Sequence, residues 1–155
     1  MLGSKNNFFK APPAELYKSC EQMVRLLEIK GYSKSEINVY IDAFNYFWAN
    51  PNAFDGATIV KDLCDIPGLD LDAMLHDYHY LKHGVASNFV TKWKADWLFA
   101  KGHERKGKGQ YSAYSRFIAL TIIGVFFVPY VLIKRGKITK TQKTEFLKEY
   151  NLLIK

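Results

Sequence analysis

The sequence predicts an all-α protein, and three observations lead to that prediction. Apolar residues recur at helical spacing in six segments, separated by breakers such as Gly31, Asn50-Pro51-Asn52 and His83-Gly84. The chain contains no succession of short alternating segments of the kind that form a sheet. Its 155 residues are 48% hydrophobic and 15% aromatic, so they are able to bury a sizeable core.

The first fifty residues are expected to form an irregular arm and a helical hairpin. The arm comprises residues 1–13, and a first helix follows from about Ala14 to Lys30. Ser33-Lys34-Ser35-Glu36 is a capping box, in which the serine and glutamate side chains satisfy each other's backbone amides, so it opens a second helix. We therefore assign residues 14–50 to an N-terminal helical hairpin.

The remainder is expected to form a compact helical core, residues 51–134, followed by a C-terminal amphipathic helix within residues 135–155. Residues 51–69 are the least regular part, and the glycine-punctuated basic stretch 101–109 is expected to be a linker. The predicted helices run from about Asp70 to Lys82, Asn88 to Lys101, Ser112 to Lys134 and Thr139 to Leu153.

One segment, Phe117 to Ile133, has 17 residues without a charge. A helix that spans a bilayer needs about 20 such residues, and Pro129 lies inside this segment. We therefore expect a buried core helix and not a membrane span, with a membrane-associated protein as the alternative.

The N-terminus has no apolar run long enough for a secretory signal, so we expect a cytoplasmic protein with reduced thiols.

The charge of the chain favours an anionic partner. It has 22 basic and 15 acidic residues, a net charge of +7. Residues 92–116 combine seven Lys or Arg with the interleaved aromatic residues Trp93, Trp97, Tyr111 and Tyr114, a pattern that suits anionic lipid or DNA phosphates. A solvated, flexible linker also explains the run of glycines and lysines and is the favoured interpretation. No helix-turn-helix or zinc-finger pattern supports sequence-specific DNA binding. Cys20 and Cys64 are too few for a disulfide framework.

The stretch around His76 is the candidate chemical site. His76 and Asp77 are neighbours on a predicted helix, so their side chains point about 100° apart. Tyr80 lies one turn after His76 on the same face. The next predicted helix carries Asp96, and antiparallel packing of the two helices would bring this carboxylate to His76, where it would fix the imidazole tautomer.

This arrangement, His76-Asp77-x-x-Tyr80 with a later Asp96, resembles the active-site helix pair of the phospholipase A2 superfamily. The resemblance implies that His76 is the base that activates water and that Asp77 binds calcium. It also implies that Asp96 orients the histidine while Tyr80 adds a supporting hydrogen bond. A loop at Asp55-Gly56 would supply further calcium ligands, although the enzymes usually have a second glycine there.

The sequence also resembles a family of small, uncharacterised phage-encoded proteins that carry similar marks in the same order. The marks are Phe54-Asp55-Gly56-Ala57-Thr58-Ile59, His76-Asp77-Tyr78-His79-Tyr80, Ala95-Asp96-Trp97-Leu98-Phe99 and the apolar segment from Phe117 to Tyr130. The resemblance covers roughly residues 54–130. It implies a virion-associated structural or interaction protein, assembled in the host cytoplasm and held in an oligomer with other virion proteins.

Three functions remain open at this point. The virion protein is preferred, and the alternatives are a calcium-dependent phospholipase acting on the host envelope and a membrane-associated phage protein. A zinc site is not expected, because His79 and His83 share a stripe with His76 but His103 is distant and no cysteine is near. A His-Asp metal phosphohydrolase would need a histidine upstream of His76, and there is none.

Overall fold

Six α-helices and three short 3-10 helices dominate the computed structural model, which describes residues 7–54 and 63–155. Helix accounts for 79% of these residues and none of them forms a strand, so the predicted all-α class is confirmed. The short helices are Phe8–Lys10, Pro51–Ala53 and Val85–Ser87. The α-helices are α1 (Pro13–Ile29), α2 (Lys34–Ala49), α3 (Leu71–Lys82), α4 (Phe89–Arg105), α5 (Gln110–Arg135) and α6 (Lys140–Leu153).

The chain divides into two compact units, an N-terminal unit Met1–Asp77 and a C-terminal unit Tyr78–Lys155. The division falls inside α3, so its first seven residues belong to the first unit and its last five to the second. The sequence-based boundaries after residues 13, 50 and 134 follow the predicted helices instead, and they stay predictions.

The N-terminal unit is built around the hairpin of α1 and α2. Glu36 accepts a hydrogen bond from the Ser33 amide at 2.7 Å, while Ser33 accepts one from the Glu36 amide at 3.4 Å, so the predicted capping box is present. Phe9 is buried, and its ring centroid lies 5.1 Å from that of Phe44 and 5.3 Å from that of Phe54. The predicted irregular arm therefore includes a helical turn that contributes to this core.

Two aspartates fix the start of α3. Asp70 accepts hydrogen bonds from the amides of Asp72 and Ala73 at 3.0 and 3.1 Å, and Asp65 accepts one from the Leu71 amide at 2.8 Å. The first amides of a helix have no partner within the helix, so these carboxylates satisfy groups that would otherwise be buried without one. The caps set the register of the helix that carries His76 and Asp77.

In the C-terminal unit, local signals again set the helix starts. Gly84 adopts φ +62°, which suits glycine, and separates α3 from the turn before α4. Asn88 caps α4 by accepting from the amides of Val90 and Thr91. The helix continues to Arg105, four residues beyond the predicted end at Lys101, so the expected linker 101–109 is largely helical.

Helix α5 packs along α4 by one side only. Its buried residues include Ala113, Gly124, Val128 and Val131, and Pro129 lies within the helix. Only 17% of its most apolar 18-residue window is buried. The expectation of a buried core helix was therefore wrong: the segment is helical, but many of its apolar side chains are exposed and few of its residues are buried.

Candidate functional site

His76 and Asp77 lie side by side on α3 within the N-terminal unit. Their closest charged atoms, His76 Nδ1 and Asp77 Oδ1, are 3.7 Å apart, which is too long for a hydrogen bond. The side chains are 10% and 19% exposed, respectively. The other predicted calcium residues, Asp55 and Gly56, lie outside the described residues, so the calcium site stays a prediction.

Tyr80 and Asp96 meet in the C-terminal unit. The Tyr80 hydroxyl donates a hydrogen bond of 2.7 Å to Asp96 Oδ1, and Asp96 is fully buried. The structure thus brings together two of the residues singled out from the sequence. The orientation of His76 by Asp96 stays a prediction.

A buried lysine completes this polar centre. Lys92 is 4% exposed, and its ammonium group forms an ion pair with Asp96 Oδ2. The same ammonium donates to the Leu120 carbonyl of α5 at 2.8 Å and lies 5.9 Å from the centroid of the Tyr80 ring. We call Lys92, Asp96, Tyr80 and the Leu120 carbonyl the Lys92 cluster.

Gly124 makes room for the lysine. A Cβ atom at this position would clash with the Lys92 ammonium and lie 3.0 Å from Lys92 Cδ. Glycine is weakly helix-forming, so its presence in the middle of α5 is explained by this close approach. The ion pair could have been predicted from the sequence, because Lys92 and Asp96 are four residues apart on one helix. It was not predicted, since Lys92 was counted only as part of the basic segment 92–116.

The Lys92 cluster limits what Asp96 does chemically. A carboxylate that orients a catalytic histidine also stabilises the positive charge which develops on the imidazole. In this buried site the Lys92 ammonium balances the negative charge of Asp96. The carboxylate therefore stabilises a positive charge on any other neighbouring group less strongly. The cluster is therefore well suited to joining α4 and α5.

The basic segment 92–116 is less available than its composition indicates. Lys92, Lys106 and Arg116 are each at most 8% exposed. Lys101 pairs with Glu104 at 2.9 Å and covers the Trp97 ring, while Lys94 covers the Tyr150 ring. Most of its charges are thus used within the C-terminal unit, and the segment is not a continuous basic surface.

Helix α5 presents an exposed stripe that we call its apolar face. The stripe consists of Ile118, Ile122, Val125, Phe126, Tyr130 and Ile133, which are 55–84% exposed. Among the described residues α5 is the one helix long and apolar enough to cross a membrane, with a mean hydropathy of 2.2 over 18 residues. Core helices of soluble proteins pass the same test, but they are mostly buried and α5 is not.

A second polar centre joins α3 to α6, and the sequence analysis missed it. Nε2 of His79 lies 2.9 Å from Glu149 Oε2, and Nε2 of His83 lies 3.2 Å from Glu149 Oε1. Both imidazoles donate, because an ionised carboxylate only accepts hydrogen bonds. Burial alone would raise the pKa of the Glu149 carboxyl, but the hydrogen bonds and charges of the two histidines lower it to about 2.

Comparison of the chain with protein-family models, with curated proteins and with solved structures gave no match. The resemblances to the phospholipase A2 superfamily and to the phage-encoded family are therefore carried by sequence motifs alone. The geometry adds two polar centres, the Lys92 cluster and the histidine–glutamate cluster of His79, His83 and Glu149, together with one large apolar surface.

Proposed function

We propose that this chain is a membrane-associated structural or interaction protein of a phage particle, attached to lipid by the apolar face of α5. The observation that carries the proposal is the exposure of that face. The phage assignment is supported by the order of sequence marks between residues 54 and 130. The lipid assignment is supported by the size of the face, by the charges beside it and by the way α5 is held.

The apolar face is large enough to drive attachment. Fully burying one large apolar side chain is worth about 1.5–3 kcal/mol. Six side chains that are more than half exposed would therefore gain on the order of 5–10 kcal/mol in hydrocarbon, before the loss of motional freedom is subtracted. An exposed apolar surface of this kind usually marks an interaction site.

The charges next to the face favour a lipid surface over an apolar protein partner. Lys134, Arg135, Lys137 and Lys140 are all exposed at and just beyond the C-terminal end of α5. Each lysine or arginine near an anionic membrane adds about 1 kcal/mol of attraction. Near the other end, Trp93 and Trp97 stack with their ring centroids 6.2 Å apart, and tryptophan favours the headgroup level of a bilayer.

Attachment along the surface fits better than a transmembrane orientation. The side of α5 opposite the apolar face is held on α4, where Lys92 donates to the Leu120 carbonyl. A spanning helix surrounded by lipid would leave this contact, and Lys92 and Asp96 would lose the cover that buries them. The helix is therefore proposed to lie in the interface with its apolar face toward the acyl chains.

A calcium-dependent phospholipase is the second candidate. It is favoured by the hydrogen bond between Tyr80 and Asp96, the two residues that the resemblance places in one network. The Lys92 ammonium on the same carboxylate weakens the case for catalysis, because it balances the charge that would stabilise a protonated histidine.

The proposal is tested by sedimenting the purified full chain with vesicles of phosphatidylcholine, with and without phosphatidylglycerol. Ile133→Asp should weaken binding about tenfold or more, because a charge replaces a side chain expected to enter the acyl region. Ile29→Asp is the matched control, since Ile29 is 83% exposed and Ile133 is 84% exposed. Ile29 lies on α1 in the N-terminal unit and is not part of the apolar face, so its substitution should leave binding unchanged.

Two results would contradict the lipid proposal. One is wild-type protein that stays in the supernatant with anionic vesicles. The other is concentration-dependent self-association without lipid that Ile133→Asp abolishes, together with vesicle binding that the substitution does not change. That second result would assign the apolar face to contacts between protein subunits.

A further inference from the structure

We propose that the first turn of α5, together with the Arg116 side chain, forms a binding site for a phosphate group. The site lies wholly within the C-terminal unit. A free phosphate ion and a phospholipid headgroup both carry this group. Binding of free phosphate does not depend on the proposed attachment to lipid, whereas binding of a headgroup rests on it.

Arg116 is a buried cation with an unused hydrogen-bond donor. The residue is 8% exposed, and its buried Nη1 atom has no hydrogen-bond partner among residues 7–54 and 63–155. Its Nε atom donates a hydrogen bond of 3.1 Å to Ser112 Oγ, one turn earlier on α5. This bond directs the guanidinium group back toward the first turn of the helix. A buried donor without a partner is costly, so it points to a ligand that satisfies it.

The first turn of α5 supplies a second set of donors. The first amides of a helix have no partner within the helix, and they lie at the positive end of its dipole. Gly109 precedes the helix and has no side chain, so it does not cap the amides of Gln110, Tyr111 and Ser112. The first turn also contains no Asp or Glu. A helix start of this kind binds anions readily.

Charge and access also favour an anion at this end of the helix. Residues 105–116 contain four Lys or Arg and no Asp or Glu. Tyr111 is 90% exposed, and Gly109 and Gln110 are exposed as well, so solvent reaches the start of α5. The Arg116 guanidinium is covered, and we expect a bound anion to draw it toward this open end by rotation of the side chain.

The two sets of donors favour a phosphate group over a carboxylate. The oxygens of a phosphate group are arranged tetrahedrally, so separate oxygens are able to accept from the helix amides and from the guanidinium. The oxygens of a carboxylate lie in one plane, where a single guanidinium group is able to take both of them. Arginine is also the side chain whose planar fork of donors matches phosphate best.

The test uses the full chain and sodium phosphate as the probe, with sodium chloride to hold the ionic strength constant. In a nuclear magnetic resonance titration, phosphate should shift the amide signals of Gln110, Tyr111 and Ser112 until they saturate. Arg116→Gln should weaken binding by about tenfold or more, because hydrogen bonds to a charged group are lost. Arg25→Gln is the control for net charge, since Arg25 is exposed on α1 in the N-terminal unit, and it should leave binding unchanged.

Gln110→Glu separates a loss of binding from a loss of folding. A carboxylate at the first position of α5 interacts favourably with the helix dipole but repels an anion. This variant should therefore bind phosphate several-fold more weakly while its melting temperature is unchanged or higher. It decides the outcome if Arg116→Gln fails to fold.

Sedimentation of the same variants with vesicles that contain phosphatidylglycerol distinguishes the two sources of phosphate. If the headgroup is the ligand, Arg116→Gln and Gln110→Glu should weaken vesicle binding more than Arg25→Gln does. If free phosphate is the ligand, the titration should saturate, and these two variants should affect vesicle binding no more than Arg25→Gln.

Three results would overturn the phosphate site. The first is wild-type protein without saturable phosphate shifts, together with vesicle binding that Arg116→Gln and Gln110→Glu do not weaken more than Arg25→Gln. The second is phosphate binding that is unchanged in folded Arg116→Gln and in Gln110→Glu. The third is an equal loss of phosphate binding in Arg25→Gln and Arg116→Gln. Wild-type protein that binds phosphate but not vesicles would contradict the lipid attachment alone.

Discussion

Replacing Asp96 with asparagine should destabilise the C-terminal unit strongly. The substitution keeps the size of the side chain and an oxygen that accepts the Tyr80 hydrogen bond, but it removes the negative charge beside Lys92. Lys92 is 4% exposed and Asp96 is 0% exposed, so water does not replace the lost partner. The ammonium would remain buried with the Leu120 carbonyl as its remaining polar contact in the Lys92 cluster.

The expected magnitude follows from this burial. Removing one member of a buried ion pair typically destabilises a protein by about 3–5 kcal/mol, because the other charge is left uncompensated. In a chain of this length 1 kcal/mol lowers the melting temperature by about 2–4 °C. Asp96→Asn should therefore lower it by roughly 6–20 °C.

A double-mutant cycle separates the ion pair from simple changes in packing. Lys92→Met should be destabilising for the converse reason, and the double variant Lys92→Met/Asp96→Asn should be less destabilised than the two single effects together, by about 2 kcal/mol or more. Lys101→Met is the control on the same helix, because its ion pair with Glu104 is 38% and 36% exposed. It should change the unfolding free energy by less than about 1 kcal/mol.

Urea unfolding followed by tryptophan fluorescence is the appropriate assay, because Trp93 and Trp97 lie on α4 beside the cluster. Far-UV circular dichroism, recorded in parallel, reports the loss of helix throughout the chain. A destabilisation by Asp96→Asn of less than about 1 kcal/mol would refute the reasoning. Strict additivity in the cycle would refute it as well, since the charges would then not be coupled.

Two further predictions concern α3 and α6. The phospholipase alternative predicts calcium binding that Asp77→Asn abolishes, and calorimetry without binding at millimolar calcium would remove that alternative. For Glu149, the folded-state pKa of about 2 lies below the ordinary 4.5, so its stabilising contribution is complete above about pH 4.5 and declines toward pH 2. The loss should reach about 3 kcal/mol in urea titrations of the wild type, and it should be smaller in Glu149→Gln; equal acid sensitivity in both would contradict the assignment.

Helix starts were predictable because capping is local. Ser33 and Thr139 each form a capping box with the residue three positions later, and Asn88 caps α4 by itself. The end of α4 was not predictable in the same way. Gly102 lies in the stretch 101–109 that was expected to be a linker. Glycine in a helix costs only about 1 kcal/mol relative to alanine, and the packing of α4 against α5 offsets that cost.

In the candidate site too, contacts between residues close in sequence were predictable and contacts between distant residues were not. The pairing of Lys92 with Asp96 is readable from their spacing, whereas the contact of Glu149 with His79 joins residues 70 positions apart and depends on where α6 packs. The exposure of α5 was not readable either. A helix buried by protein and a helix facing lipid have the same apolar composition. Composition therefore does not show whether protein or lipid covers the segment.

The Lys92 cluster and the apolar face are two consequences of one constraint on α5. Successive residues of a helix are rotated by about 100°, so Ile122 lies about 200° from Leu120, and Phe126 lies about 200° from Gly124. Lys92 reaches the Leu120 carbonyl and fills the space at Gly124, which fixes this side of α5 against α4. Any rotation that buried Ile122 or Phe126 would press a bulky side chain onto a buried ion pair and remove the carbonyl from the ammonium. The outward direction of the apolar face is therefore maintained by the polar contacts on the opposite side of the helix.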